Sequence, residues 1–204
     1  MPPVTPRLLL SDLDGVVRQW PRGDASLEES HGLPAGVIAR TAFAPDLLQQ
    51  AITGVISDEA WREEVRRQLQ ALHPGADAGA AVTAWSEPAG VVDAEVRDLL
   101  AQVRGRCRVG LITNATSRLP RDLARLELEG HFDFIFNSSE VGHAKPSPEI
   151  FAHALEVAGV ASGEAVFIDD TLANVQAAAA LGIRAHHFAG VAPLREWLGA
   201  LGLI

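Results

Sequence analysis

The chain has 204 residues, a formal net charge of −9 from 26 acidic against 17 basic side chains, and one cysteine. Such a length fits one large domain, or a medium domain carrying a smaller one, and 48% hydrophobic with 21% charged residues is globular composition. Lone Cys107 excludes an internal disulfide framework and multi-cysteine metal sites, the acid excess leaves no footprint for nucleic acid or anionic membrane, and no apolar run reaches the ~18 residues of a membrane span.

The start, from Met1 through three prolines to Asp12, is too short and too soon acidic for a signal peptide, so the protein is expected to be cytoplasmic. A monomer or weak homodimer is expected. Residues 7–11 form a short apolar run, the pattern of a strand buried on both faces, and break off at Asp12-Leu13-Asp14-Gly15. The next segment, about 17–90, carries helical patterns only, over 35–40, 45–53, 57–72 and 77–85. The clearest has Ser57 as N-cap, Asp58 and Glu59 in the first turn, and Trp61, Val65, Leu69 and Leu72 on one stripe. Pro21, Gly23, Pro74, Gly75, Pro88 and Gly90 punctuate this segment.

From residue 93 strands and helices alternate. A helix over 93–104 repeats Val96, Leu99, Leu100 and Val103 behind Asp93. Strand 109–112, a helix over 120–128, strand 132–136, a helix opening at Ser147-Pro148 and stopping at Gly159, strand 165–168, a helix over 172–181, strand 185–188 and a helix over 193–201 follow. This alternation predicts an α/β fold, a doubly wound parallel sheet covered on both faces, with an inserted α-helical unit. The expected division is a core of 1–16 and 90–204 and an insertion of 17–89.

Open parallel sheets gather functional groups at the carboxyl ends of their strands. Those ends here carry Asp12 and Asp14, then Thr113 and Asn114, then Asp169 and Asp170, with Lys145 in the loop before the Ser147 helix. Carboxylates so crowded repel, since unit charges 4 Å apart interact by about 4 kcal/mol at an effective dielectric of 20. A hard cation such as Mg²⁺ offsets that repulsion and binds oxygen ligands together with substrate phosphate. The hydroxyl and the ammonium complete a phosphate cradle.

In these residues the sequence resembles the haloacid dehalogenase-like hydrolase superfamily. Four motifs stand in family order: Asp12-Leu13-Asp14-Gly15 after an apolar strand, Leu111-Ile112-Thr113-Asn114, Ala144-Lys145-Pro146 before a helix, and Ile168-Asp169-Asp170-Thr171 with Asn174 following. The stretch Ile52-Thr53-Gly54-Val55-Ile56-Ser57-Asp58-Glu59-Ala60-Trp61 is similar to the small helical cap of the family's dehalogenase and sugar-phosphatase branch.

The resemblance implies a Mg²⁺-dependent phosphatase acting on a small phosphorylated metabolite. Asp12 is implied as the nucleophile that forms an aspartyl-phosphate, ionised at neutral pH if its pKa is the ordinary value of about 3.9. Asp14 is implied as acid then base, Lys145 as neutralising charge, and Thr113 and Asn114 as phosphate-binding. Asp12, the Asp14 carbonyl, Asp169 and Asp170 are the implied metal ligands, Asp169 directly or through water. Dehalogenase members lack the acid two residues after the nucleophile and need no metal. Retention of Asp14, Asp169 and Asp170 therefore favours phosphoryl transfer. The alternatives are a phosphomutase using the same groups and a catalytically idle fold that binds a phospho-ligand or protein. Arg18 and Trp20 either face the substrate or pack the hinge. Asn174 either orders Asp170 or begins a helical turn. Cys107 between two arginines reads as a buried or rim thiol, and His143, His186 and His187 as ordinary histidines.

Overall fold

The structure, a computed structural model, describes residues 5–20 and 25–204. Strand β1 (Leu8–Ser11) is buried along its whole length. Its alternate side chains serve two cores: Leu9 packs on one face, Leu8 and Leu10 on the other. That is the period of two expected of a strand covered on both sides.

After β1 the chain turns through β2 (Arg18–Gln19) and enters five helices, α1 (Ala25–Ser30), α2 (Val37–Ala42), α3 (Pro45–Ile52), α4 (Asp58–Leu72) and α5 (Ala78–Ser86), returning through β3 (Val91–Val92). Pro21 and Gly23, read as punctuation, lie outside the described residues. The helices share their own core, built on Ile38, Trp61, Val65, Leu69 and Ala81. The Ser57 hydroxyl accepts from the Ala60 N–H at 3.2 Å, the expected N-cap, and the Asp77 carboxylate caps α5 by accepting from the Ala80 N–H at 2.9 Å. Leu72, assigned to the buried stripe of α4, is instead the helix's last residue and exposed.

One pairing departs from the expectation of helices only. β2 and β3 form an antiparallel ribbon, Arg18 opposite Val92 and Gln19 opposite Val91, that ties together the two linkers joining the helical unit to the sheet. Two residues per strand are too few to carry a periodic signal, and their partners lie over 70 positions apart.

The remainder alternates: α6 (Ala94–Arg104), β4 (Arg108–Thr113), α7 (Leu119–Arg125), β5 (Phe134–Asn137), the short α8 (Ser138–Val141), α9 (Pro148–Ala158), β6 (Ala165–Asp169), α10 (Leu172–Ala180), β7 (Arg184–His187) and α11 (Val191–Ala200). The five long strands are all parallel in the order β5-β4-β1-β6-β7. β1 is central, and successive strands are added first on one side and then on the other. Helices α6, α7 and α11 cover one face, α9 and α10 the other. The reversal of strand order beside β1 opens a crevice at the carboxyl ends, where Asp12 leaves β1 and Asp169 ends β6. Among the described residues no helix is long and apolar enough to cross a membrane.

Candidate active site

Because β1 and β6 run in register, with Ser11 opposite Ile168, Asp12 and Asp169 emerge side by side. Lys145 bridges them: its Nζ lies 2.8 Å from Asp12 Oδ1 and 2.7 Å from Asp169 Oδ2, with all three side chains nearly inaccessible. Asn114, at the end of β4, holds the Lys145 loop from both sides. Its Oδ1 accepts from the Lys145 N–H at 2.7 Å and its Nδ2 donates to the Lys145 carbonyl at 2.8 Å. The side chain read as a phosphate ligand is thus committed to positioning the lysine.

Asp169 is saturated by donors: the Thr171 N–H at 2.7 Å, Asn174 Nδ2 at 3.1 Å to each oxygen, and Lys145. Asn174, in the first turn of the helix that follows, therefore orders Asp169 rather than Asp170. Asp170 differs. It is exposed, among the described residues its side chain accepts only from the Thr171 hydroxyl at 3.3 Å, and His187 Nε2 meets its carbonyl at 2.8 Å. Carboxylate oxygens of Asp12, Asp169 and Asp170 lie within 4.8 Å of one another. Gly15 allows that approach. Its φ is +82°, and a Cβ there would stand 2.0 Å from Asp170 Oδ2.

Burial pushes the Asp12 carboxyl up to about 7, the neighbouring Asp169 charge adding to the rise and Lys145 opposing it. The ordinary value assumed from sequence does not hold for the metal-free protein. Both Asp12 contacts, from Lys145 and from the Leu13 N–H at 2.7 Å, fall on Oδ1. Oδ2 is left without a partner among the described residues. Thr113 Oγ1 is fully buried and also lacks a hydrogen-bond partner among the described residues. Unpaired buried hydroxyls are costly enough to be rare, and one on the floor of a cleft marks where a ligand oxygen belongs. The cleft, about 310 Å³, is lined by Asp12, Asp14, Thr113, Lys145, Asp170 and Asn174 among others.

Asp14 lines the same cleft. Arg18 grips it with Nε to Oδ1 at 2.6 Å and Nη2 to Oδ2 at 2.9 Å, and Trp20 Nε1 donates to Oδ1 at 2.7 Å. Arg18 itself is buried and also reaches Asp122 Oδ2 at 3.2 Å, so it packs the hinge. Trp20 keeps half its surface exposed while its indole N–H is fixed. Asp122 and the contacts of the helical unit with the sheet had no signal in sequence. Asp58 on α4 accepts from the Thr116 hydroxyl at 2.7 Å, and its N–H donates to the Ser117 hydroxyl at 3.0 Å.

A wider groove of about 740 Å³ lies under the opposite ends of the strands, lined by Arg7, Arg104, Arg106 and Arg108. Arg7 and Arg104 are paired with Glu164 and Asp133, and the groove's Cys107 is pushed up to about 11 by burial. Among the described residues the groove's lining carries one acid, Asp133.

A family profile described as haloacid dehalogenase-like hydrolase matches residues 6–182. A pyrimidine 5′-nucleotidase of Escherichia coli is 37% identical over 102 residues, 50% of this chain and 43% of that protein, so the chain spans less than half that relative's length. A phosphoglycolate phosphatase of Pseudomonas putida is 29% identical over 194 residues, 90% of this chain and 69% of that one. A crystal structure of a haloacid dehalogenase family enzyme from Bacteroides thetaiotaomicron, in complex with magnesium and inorganic phosphate, superposes with a TM-score of 0.76 at 26% identity, covering 91% of this chain and 96% of that one.

Proposed function

The chain belongs to the haloacid dehalogenase-like hydrolases, and we propose that it is a Mg²⁺-dependent phosphatase that hydrolyses a small, sugar-phosphate-like metabolite through an aspartyl-phosphate on Asp12. The observation that carries this reading is the meeting of Asp12, with a free Oδ2, and the orphaned Thr113 hydroxyl in one cleft beside Lys145. A nucleophile with a hydrogen-bond donor and a fixed cation around one transferring group is the equipment that phosphoryl transfer requires.

The donor set fits Mg²⁺. Converging carboxylate oxygens are hard ligands, and Asp170 has few competing partners. Asp12, Asp170 and the Asp14 carbonyl would hold the ion, and Asp169, spent on four donor contacts, would support it from behind. When bound, the ion supplies positive charge against the phosphate oxygens.

The protein's own groups then do the following. Asp12 Oδ2 attacks phosphorus, and the P–O bond to the leaving oxygen breaks as Asp14 passes it a proton. Water attacks the phospho-enzyme, gives its proton back to Asp14, and frees Asp12. Thr113 donates to a phosphate oxygen throughout, while Lys145 holds Asp12 in place. Residues 17–89 act as a cap over this cleft, joined to it through Asp58, Thr116 and Ser117.

The test is a panel of phosphate monoesters with Mg²⁺, run on the wild type, Asp12→Asn and Asp14→Asn. Phosphate release that EDTA stops, that the first substitution abolishes and that the second nearly abolishes is the expected result. Equal activity in all three proteins would overturn the mechanism. Ligand binding without turnover in the wild type would favour the idle fold, and halide release without Mg²⁺ would favour dehalogenation.

A further inference from the structure

Arg18 and the second linker meet in a way that the chemistry above does not use. The Arg18 guanidinium spends two donors on Asp14, one on Asp122 at 3.2 Å, and approaches the Ala89 carbonyl at 3.4 Å. Asp122 is shared with Arg118 Nε at 2.7 Å. Arg118 in turn donates to the carbonyls of Ser86, Glu87 at 3.2 Å and Pro88 at 3.1 Å. The acid/base carboxylate is therefore joined, through a run of charge-assisted hydrogen bonds, to the chain that leads out of the helical unit. Gly90 completes the fit: its φ is +84°, and a Cβ there would sit 2.7 Å from Arg18 Cγ, so only glycine lets the arginine stem pass. Trp20 closes the other side, its ring 4.7 Å from Arg18 Cζ and its N–H on Asp14.

We propose that Arg18 is a positioning residue that aims the Asp14 carboxylate from the cap linkers, with Trp20 as its second hold. The inference rests on the phosphatase reading. Every side-chain contact that Asp14 makes among the described residues is a donor into its carboxylate. A bidentate arginine grip fixes both oxygens in direction, which a lysine cannot reproduce.

The test separates aiming from mere folding by the leaving group. Alkyl phosphates need a proton at the departing oxygen, whereas p-nitrophenyl phosphate leaves as a stable phenolate. The quantity to compare is kcat/KM, which reports formation of the phospho-enzyme. Arg18→Ala is expected to lower it for the best alkyl ester of the panel roughly 10²-fold more than for p-nitrophenyl phosphate. Arg18→Lys should recover part of the alkyl rate. Trp20→Phe, at an exposed position where folding is not at stake, should show the same bias at a few-fold. Equal losses on both esters in Arg18→Ala together with an unchanged ratio in Trp20→Phe would overturn the proposal and leave the phosphatase reading standing. A wild type that hydrolyses neither ester would overturn both.

Discussion

Thr113 carries the most sharply testable side chain in the cleft. Its hydroxyl is fully buried and unpaired among the described residues, so it contributes nothing by hydrogen bonding to the ligand-free fold. Replacement by isosteric valine removes an unsatisfied polar atom from the interior. Thr113→Val is therefore expected to leave the melting temperature unchanged or raised while lowering kcat/KM about 10²-fold, the usual scale for losing one donor to a reacting oxygen. Thermal unfolding beside steady-state kinetics checks it, and a lower melting temperature with activity intact would refute the assignment. Residue type at strand ends revealed this position because an apolar strand closing on Thr is a pattern in the chain itself. What Asn114, Asn174 and Arg18 do was not legible in the same way. Each is a short polar or basic residue beside a motif, and its role depends on which partner lies within about 3 Å in space. Asn114 clamps the lysine loop, Asn174 serves Asp169, and Arg18 holds Asp14.

At the scale of elements, the joint between the helical unit and the sheet depends on Gly54, in the turn between α3 and α4. Its φ is +73°, and a Cβ there would stand 2.0 Å from the Ser139 carbonyl oxygen of α8. Gly54→Ala meets both a left-handed backbone and a clash with main chain that cannot swing aside. A destabilisation of about 1–3 kcal/mol is expected. Hydrogen exchange should quicken first at residues 53–58 and 138–141 while β1, β4 and β6 stay protected. Uniform quickening across the sheet would mean that the joint carries no separable stability. The strands and most helices were readable because burial on two faces writes continuous apolar runs, and caps such as Ser57 and Asp93 write helix starts. The third sheet strand was placed two residues early, at 132. Phe132 is as apolar as the strand but packs in the core just ahead of it. Helix α1 had no counterpart in the sequence pattern, and the β2–β3 ribbon had none because two-residue strands are shorter than the window in which a period can be seen.

The molecule as a whole buries two carboxylates against one ammonium at its centre, and this sets how its stability responds to pH and to metal. Asp12 titrates near 7 in the folded, metal-free protein, mainly because it is desolvated, against an ordinary value of 3.8. Between these limits the native state holds a proton that the unfolded chain has released. Stability therefore falls as pH rises from about 4 to about 7, with a slope of up to about 1.4 kcal/mol per pH unit, and this contribution is level above that range. Metal works in the opposite sense. Its ligands must be deprotonated, so Mg²⁺ binds more tightly as pH rises through 7, and its stabilisation of the fold grows with the logarithm of one plus its concentration over Kd. Melting curves in EDTA and in millimolar Mg²⁺ are expected to diverge as pH increases, with the EDTA curve descending. Asp12→Asn should flatten the EDTA profile through this window, because no titrating carboxyl remains at that position. Asp170→Asn should close the gap between the two conditions while leaving the descent in EDTA, because it removes an exposed ligand without altering the buried triad. An EDTA profile in the wild type that is flat or rising from about pH 4 to 7 would show that Asp12 is ionised throughout, and that Lys145 alone outweighs both its burial and the adjoining charge of Asp169.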